Sequence, residues 1–203
     1  MSVTTRRSQE ERSALMRGRL IDAAFTSLVE NGYAATSVGA VQARAGVARG
    51  TLLHHFPTRA SLMVAVIDDI AEQRLRVLAD HPAEVADADP WDRVVELVWR
   101  DLQSESFVAA LELWVAARTD AELREALLPV QERLFVTIHH AVAMLLGSTD
   151  DPRVPTLVQF TIDLLTGSTM AGLLTDQDAS RRVVERWRWA LGALAAVPEA
   201  PWD

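Results

Sequence analysis

Residues 36–62 read TSVGAVQARAGVARGTLLHHFPTRASL, and the fold turns on this stretch. Ser37 is a helix-capping residue type, and Val38, Val41 and Ala45 follow at helical spacing, so a short helix is expected over residues 37–44. Gly46 interrupts it, since glycine tolerates the left-handed backbone that ends a helix and starts a sharp turn. A second short helix is expected over about residues 48–55, ended by Phe56-Pro57 because the residue before a proline avoids helical backbone. Thr58 can cap a longer helix with Leu62, Val66, Ile70, Gln73 and Val77 along one side. Two short helices hinged on a glycine make a helix-turn-helix. In such a unit the second helix lies in the major groove of DNA, its N-terminal residues at the base edges. Arg49, Gly50 and Thr51 stand there. Arginine can bond guanine through two donors, threonine offers a hydroxyl and a methyl, and glycine lets the backbone come close. Ser37 opens the preceding helix, whose free N–H groups can hold a phosphate. His54, His55 and Arg59 fall where the duplex backbone would pass.

Outward from this stretch the helical pattern continues. Ile21, Ala24, Phe25 and Leu28 form the apolar stripe of a helix over about residues 17–31, with Asn31-Gly32 as its stop. Residues 1–16 are rich in Arg, Ser and Glu; they lack the apolar stretch of a secretory signal and are expected to form a flexible arm. Residues 82–90 are polar, contain Pro82 and Pro90, and read as a loop between two regions. Further helices are expected near 91–104, 106–118, 121–146, 155–175 and 178–196, followed by a loose tail at 198–203. Strand-like alternation is missing, so the chain reads as all-α, with a three-helix head at 17–66 and a helical body at 67–197.

Composition taken as one total opposes a DNA partner. The 203 residues hold 20 basic side chains, all arginine, against 28 acidic ones, a net charge of −8. The distribution is uneven. Residues 1–67 hold Arg6, Arg7, Arg12, Arg17, Arg19, Arg44, Arg49 and Arg59 against Glu10, Glu11, Asp22 and Glu30, a local +4 that leaves −12 for the rest. A basic head on an acidic body is a nucleic-acid footprint confined to one end. The lack of cysteine excludes disulfides, thiolate zinc sites and a thiol nucleophile, and fits a reduced compartment. No Glu-x-x-His pair, phosphate loop, dinucleotide fingerprint or nucleophile elbow is present, and adjacent His139 and His140 cannot both reach one metal from one helix face. A helical-bundle enzyme is therefore the weaker reading, and no cofactor or metal is expected. Only half of residues 154–175 is apolar and Asp163 lies among them, which suits a buried helix rather than a membrane span. A cytoplasmic protein without a membrane partner is the expectation.

The quoted stretch, continued to about residues 17–66, resembles the TetR family of bacterial transcriptional regulators. The resemblance implies that Ser37, Arg49, Gly50, Thr51, His55 and Arg59 take DNA-contact positions. The chain departs from the family pattern in three places. Leu53 replaces a usual tyrosine that commonly meets a phosphate, Ala48 replaces a capping serine, and Gln42 replaces a small residue. Loss of the cap should cost about 1 kcal/mol locally.

For the body, the resemblance implies a small-molecule effector site and a homodimer built from the last two long helices of each subunit, which would place two reading helices on a near-palindromic operator. Gly167/Ala171 and Ser168/Gly172, spaced four apart, permit close helix approach, and Val184, Trp187, Leu191 and Leu194 form one stripe; Gly167, Ala171, Trp187, Leu191 and Leu194 are the interface candidates. Trp99, Phe107, Leu111, Trp114, Phe135, His139 and Phe160 are large residues on the helices where an effector would bind. Asp163, a carboxylate within an apolar helix, needs a partner and would either face that pocket or pair with an arginine across the dimer. Such a pocket would take a mostly apolar ligand with one or two polar groups. The implied function is a repressor released by its ligand, with the fourth helix, about residues 58–80, as the lever. A regulator that needs no ligand is the alternative.

Overall fold

The computed structural model describes residues 9–79, 89–147, 152–172 and 177–197, which contain nine helices and no strand. The expected tail, most of the 82–90 loop and the end of the eighth helix lie outside these residues. The chain divides into two compact units, Met1–Glu72 with Val108–Gln131, and Gln73–Phe107 with Glu132–Asp203.

The first unit contains α1 (Gln9–Ala35), α2 (Val38–Ala45), α3 (Arg49–His55), most of α4 (Arg59–Ala79), the end of α6 (Glu105–Ala117) and the start of α7 (Ala121–Leu146). Its core joins Leu20, Ala24, Leu28, Val41, Leu52, Leu62, Met63, Val66 and Ile70 to Ala109, Ala110, Leu113, Leu123 and Leu127. The stretch 17–66 therefore does not close its own core. A segment of about 50 residues buries little surface unaided, and residues from α6 and α7 complete this core.

α1 begins at Gln9, so residues 9–16 are helical where a flexible arm was expected. Glu10 and Glu11 lie in the first turn, where carboxylates offset the helix dipole. These turns are mostly exposed, with Leu15 half in solvent, so they carry no apolar periodicity for a sequence reading to detect. The expected stop is present: Gly32 takes φ 74° and ψ 173°, a conformation only glycine enters easily.

The second unit holds α5 (Pro90–Leu102), α8 (Arg153–Gly172), α9 (Gln177–Ala195) and the rest of α7. Asp89 caps α5 by accepting the Trp91 N–H at 2.7 Å. Val94, Val142, Val154 and Val158 form its core, flanked by Trp91, Val98, Ile138 and Ile162. Several polar side chains within it are paired. Trp187 Nε1–H donates to Thr161 Oγ1 at 3.0 Å, and Arg188 meets Glu96 at 2.6 Å. Arg74 lies 2.8 Å from Asp101. Burial still pushes the Asp101 carboxyl above its ordinary pKa, with Arg74 opposing. Among the described residues no helix is long and apolar enough to cross a membrane.

Candidate nucleic-acid interface

The reader is built as its sequence suggests. Ser37 caps α2, its Oγ accepting the Ala40 N–H at 3.1 Å. A hydroxyl that accepts in this way keeps its own proton to donate. Gly46 sits at φ 64° and ψ 40°, and its N–H and that of Val47 close the turn on the Ala43 and Gln42 carbonyls. Ala48 precedes α3 with no side-chain cap, so the N–H groups at the start of the reading helix are not covered by a capping oxygen. Leu52 is fully buried and anchors α3 to the core, which turns Arg49, Gly50, Leu53 and His54 outward, with Thr51 and His55 half-buried.

The arginines of this unit divide by occupation. Arg44 pairs with Glu30, Arg19 donates to the Ala45 carbonyl, and Arg17 lies over the Phe56 ring at 5.2 Å. Arg49 is exposed and has no partner among the described residues. Its five donors remain available.

Arg59 is placed differently from the expectation that it meets a phosphate. Its Nε–H donates to the Thr36 carbonyl at 2.9 Å, its Nη2 donates to the Tyr33 carbonyl, and its plane covers the Tyr33 ring at 3.7 Å. The group is half-buried and engaged with its own chain. Tyr33, which follows the kink glycine, was not singled out from the sequence. That it is the chain's one tyrosine was the available signal.

The effector candidates fall in both units. Phe107 is core, while Trp114, Phe135 and Phe160 are large exposed side chains. Leu111 and Trp114 belong to the first unit; Trp99, Phe107, Phe135, His139, Phe160 and Asp163 belong to the second. His139 links α7 to α8, with Nδ1 2.8 Å from the Phe135 carbonyl and Nε2 3.2 Å from that of Pro155; the Phe135 ring packs on it at 3.9 Å. Asp163 is exposed and accepts from Gln159 Nε2 at 2.7 Å.

The candidates for the dimer face separate as well. Leu191 is 0% exposed in the single chain and so packs inside the subunit, while Trp187, bonded to Thr161, and Leu194 are half-buried. Ser168 and Gly172 also face inward. Ser180 Oγ–H donates to the Ser168 carbonyl at 3.1 Å, and a Cβ on Gly172 would fall 2.7 Å from Ser180 Oγ. Gly167 and Ala171 stay exposed, beside Phe160, Leu164 and Met170. Trp189 of α9, 80% exposed, was missed because it lies off the apolar stripe.

A capped helix, a glycine turn and a second helix with an unpaired arginine at its N-terminus define the class of helix-turn-helix DNA-binding proteins. Comparison with known proteins narrows this. Residues 20–66 match the model of the bacterial regulatory proteins of the tetR family. An uncharacterized HTH-type transcriptional regulator of Mycobacterium tuberculosis is 31% identical over 167 residues, 81% of this chain and 86% of that one. The HTH-type transcriptional regulator CymR of Pseudomonas putida is 36% identical over 132 residues, 63% of this chain and 64% of its own. The multidrug binding protein EbrR, solved with imidazole, superposes with a TM-score of 0.67 at 31% identity, covering 92% of this chain and 98% of that one. The chain belongs to the tetR family: it is a transcriptional regulator with an N-terminal DNA-binding domain, and not an enzyme.

Proposed function

We propose that this regulator binds a near-palindromic operator as a homodimer and is a repressor released by a small, mostly apolar molecule. The exposure of Arg49 at the start of α3 carries the operator reading, while the arginines at 17, 19, 44 and 59 are engaged elsewhere. Arg49 and Thr51 read base edges and Gly50 admits the backbone. Ser37, His54 and His55 follow the phosphates. Leu53 gives an apolar contact where the family commonly has a tyrosine hydroxyl. A gel shift tests the assignment. Arg49→Ala should weaken operator binding by about 1–3 kcal/mol and relax base preference at one position of each half-site. Unchanged affinity and preference would refute it.

The exposed stripe Phe160, Leu164, Gly167 and Ala171 on α8, with Trp189 on α9, supports the dimer, because water-facing apolar side chains on adjacent helices mark an association surface. Asp163, on the same exposed side of α8, then belongs to the rim of that surface rather than to an effector pocket. EbrR, solved with imidazole and with ethidium, supports a body that takes small molecules. Linkage gives the mechanism. A ligand that favours a conformation poorly spaced for the operator weakens DNA binding, and DNA weakens ligand binding by the same factor.

A further inference from the structure

We propose that Arg59 and Tyr33 form a clasp that sets the position of the phosphate-facing start of α2, so that Arg59 serves operator binding as a positioning residue rather than by touching phosphate. The inference rests on the operator reading above. Its basis is a set of contacts around the corner between α1 and α2. The guanidinium donates to the carbonyls of Tyr33 and Thr36, the latter belonging to the residue just before the Ser37 cap. The Thr36 side chain is buried, its Oγ1 donating to the Gly32 carbonyl at 2.8 Å and lying 3.0 Å from Ser27 Oγ. Ser37 therefore follows a residue held through both its backbone and its side chain.

The far side of the corner is held by α6 and its connection to α7. The Tyr33 N–H donates to Glu112 Oε2 at 2.9 Å, and its hydroxyl donates to Asp120 Oδ2 at 2.7 Å. Asp120 is itself fixed, since its Oδ1 accepts the Leu123 N–H at 3.0 Å at the start of α7. Gly32 makes room for this closure: a Cβ there would stand 2.9 Å from Glu112 Oε2, at φ +74°. A cation with two carbonyls and a ring face to satisfy needs the planar fork of arginine. An ammonium is a point charge without that plane. A phosphate contact has the opposite tolerance, because lysine supplies the same charge.

The two roles separate in one set of measurements on the full-length protein with a duplex selected from a random pool. Operator affinity is measured across salt concentrations for wild type, Arg59→Lys, Arg59→Gln and Tyr33→Phe. Hydrogen exchange at the first amides of α2 is followed in the same variants. The clasp predicts that Arg59→Lys loses affinity ~10-fold and Tyr33→Phe ~3-fold, both at the wild-type salt slope, with faster exchange at Ala40 and Val41. Arg59→Gln should also keep that slope. Full affinity in Arg59→Lys, or a slope flatter by about one unit in Arg59→Gln, would overturn the proposal in favour of direct phosphate contact. Tyr33→Phe retains the ring and the backbone, so it covers the case in which Arg59 variants fold poorly. If wild type binds no selected duplex, the operator reading fails. Exchange at α2 still decides the clasp: unchanged rates in Arg59→Lys and Tyr33→Phe would reject it.

Discussion

Asp101 and Asp120 show how neighbours set the behaviour of one residue type. The Asp120 carboxyl is held below its ordinary pKa, first by the Leu123 N–H and then by the Tyr33 hydroxyl. Tyr33 is pushed up to about 12 by burial and by the bond to Asp120, so it remains a donor at any working pH. Asp101 is raised, because burial outweighs Arg74. The signs oppose each other. Lowering a folded-state carboxyl pKa stabilises the fold above the unfolded value, and that stability disappears as pH falls through the folded value. Raising it means that the fold binds the proton more tightly, so stability falls as pH rises from the unfolded to the folded value. Urea titrations across ~pH 2–6 should therefore show Asp120→Asn removing part of the rise in stability below the ordinary aspartate value, about pH 4. Asp101→Asn should remove a fall just above that value. Matching slopes in both variants and wild type would contradict these environments.

At the scale of elements, caps and turns were legible in the sequence because their causes are local. Ser37, Gly46, Gly32, Thr58 and the bare Ala48 act within three or four residues of themselves. Thr58 and Ser61 cap α4 reciprocally, each hydroxyl oxygen accepting the other's N–H, at 3.0 and 3.2 Å. Ala48→Ser should accordingly stabilise the start of α3 by ~1 kcal/mol, measured as an increase in unfolding free energy. No gain would mean that this N-terminus is already satisfied in some other way. The partner of each apolar face was not legible. Periodicity says that the face of α9 bearing Trp187 and Leu191 is buried, but not whether its own chain or a second copy buries it. The position of Arg59 was hidden for a related reason: its carbonyl partners lie 23 and 26 residues away in sequence, beyond any local pattern. Side-chain size and helix membership likewise carry no information about which large residues share one pocket.

Along the sequence, the net charge of −8 is the sum of +4 over residues 1–67 and −12 over the rest, so attraction for DNA rests on the arginines of the N-terminal segment rather than on the total charge. The exposed face of α8 and α9 gives a separate prediction. Trp189→Glu should shift the protein toward monomer in sedimentation, whereas Leu191→Ala should cost about 2–5 kcal/mol of folding stability at any protein concentration, as loss of core packing does. A Trp189→Glu protein with unchanged mass would remove α9 from the interface. Effector linkage has its own check. A compound that raises the melting temperature should lower operator affinity by the factor by which operator lowers affinity for the compound. Unequal factors would mean that the two do not act on one equilibrium. The most direct test of the central claim is the affinity of the full-length protein for the duplex it selects from a random pool, compared with a scrambled duplex of equal length at the same salt. The expected result is a near-palindromic site bound at least ~10³-fold more tightly than the scrambled one, with half-sites about one helical turn apart, ~34–36 Å. Equal affinity for the two duplexes would contradict it.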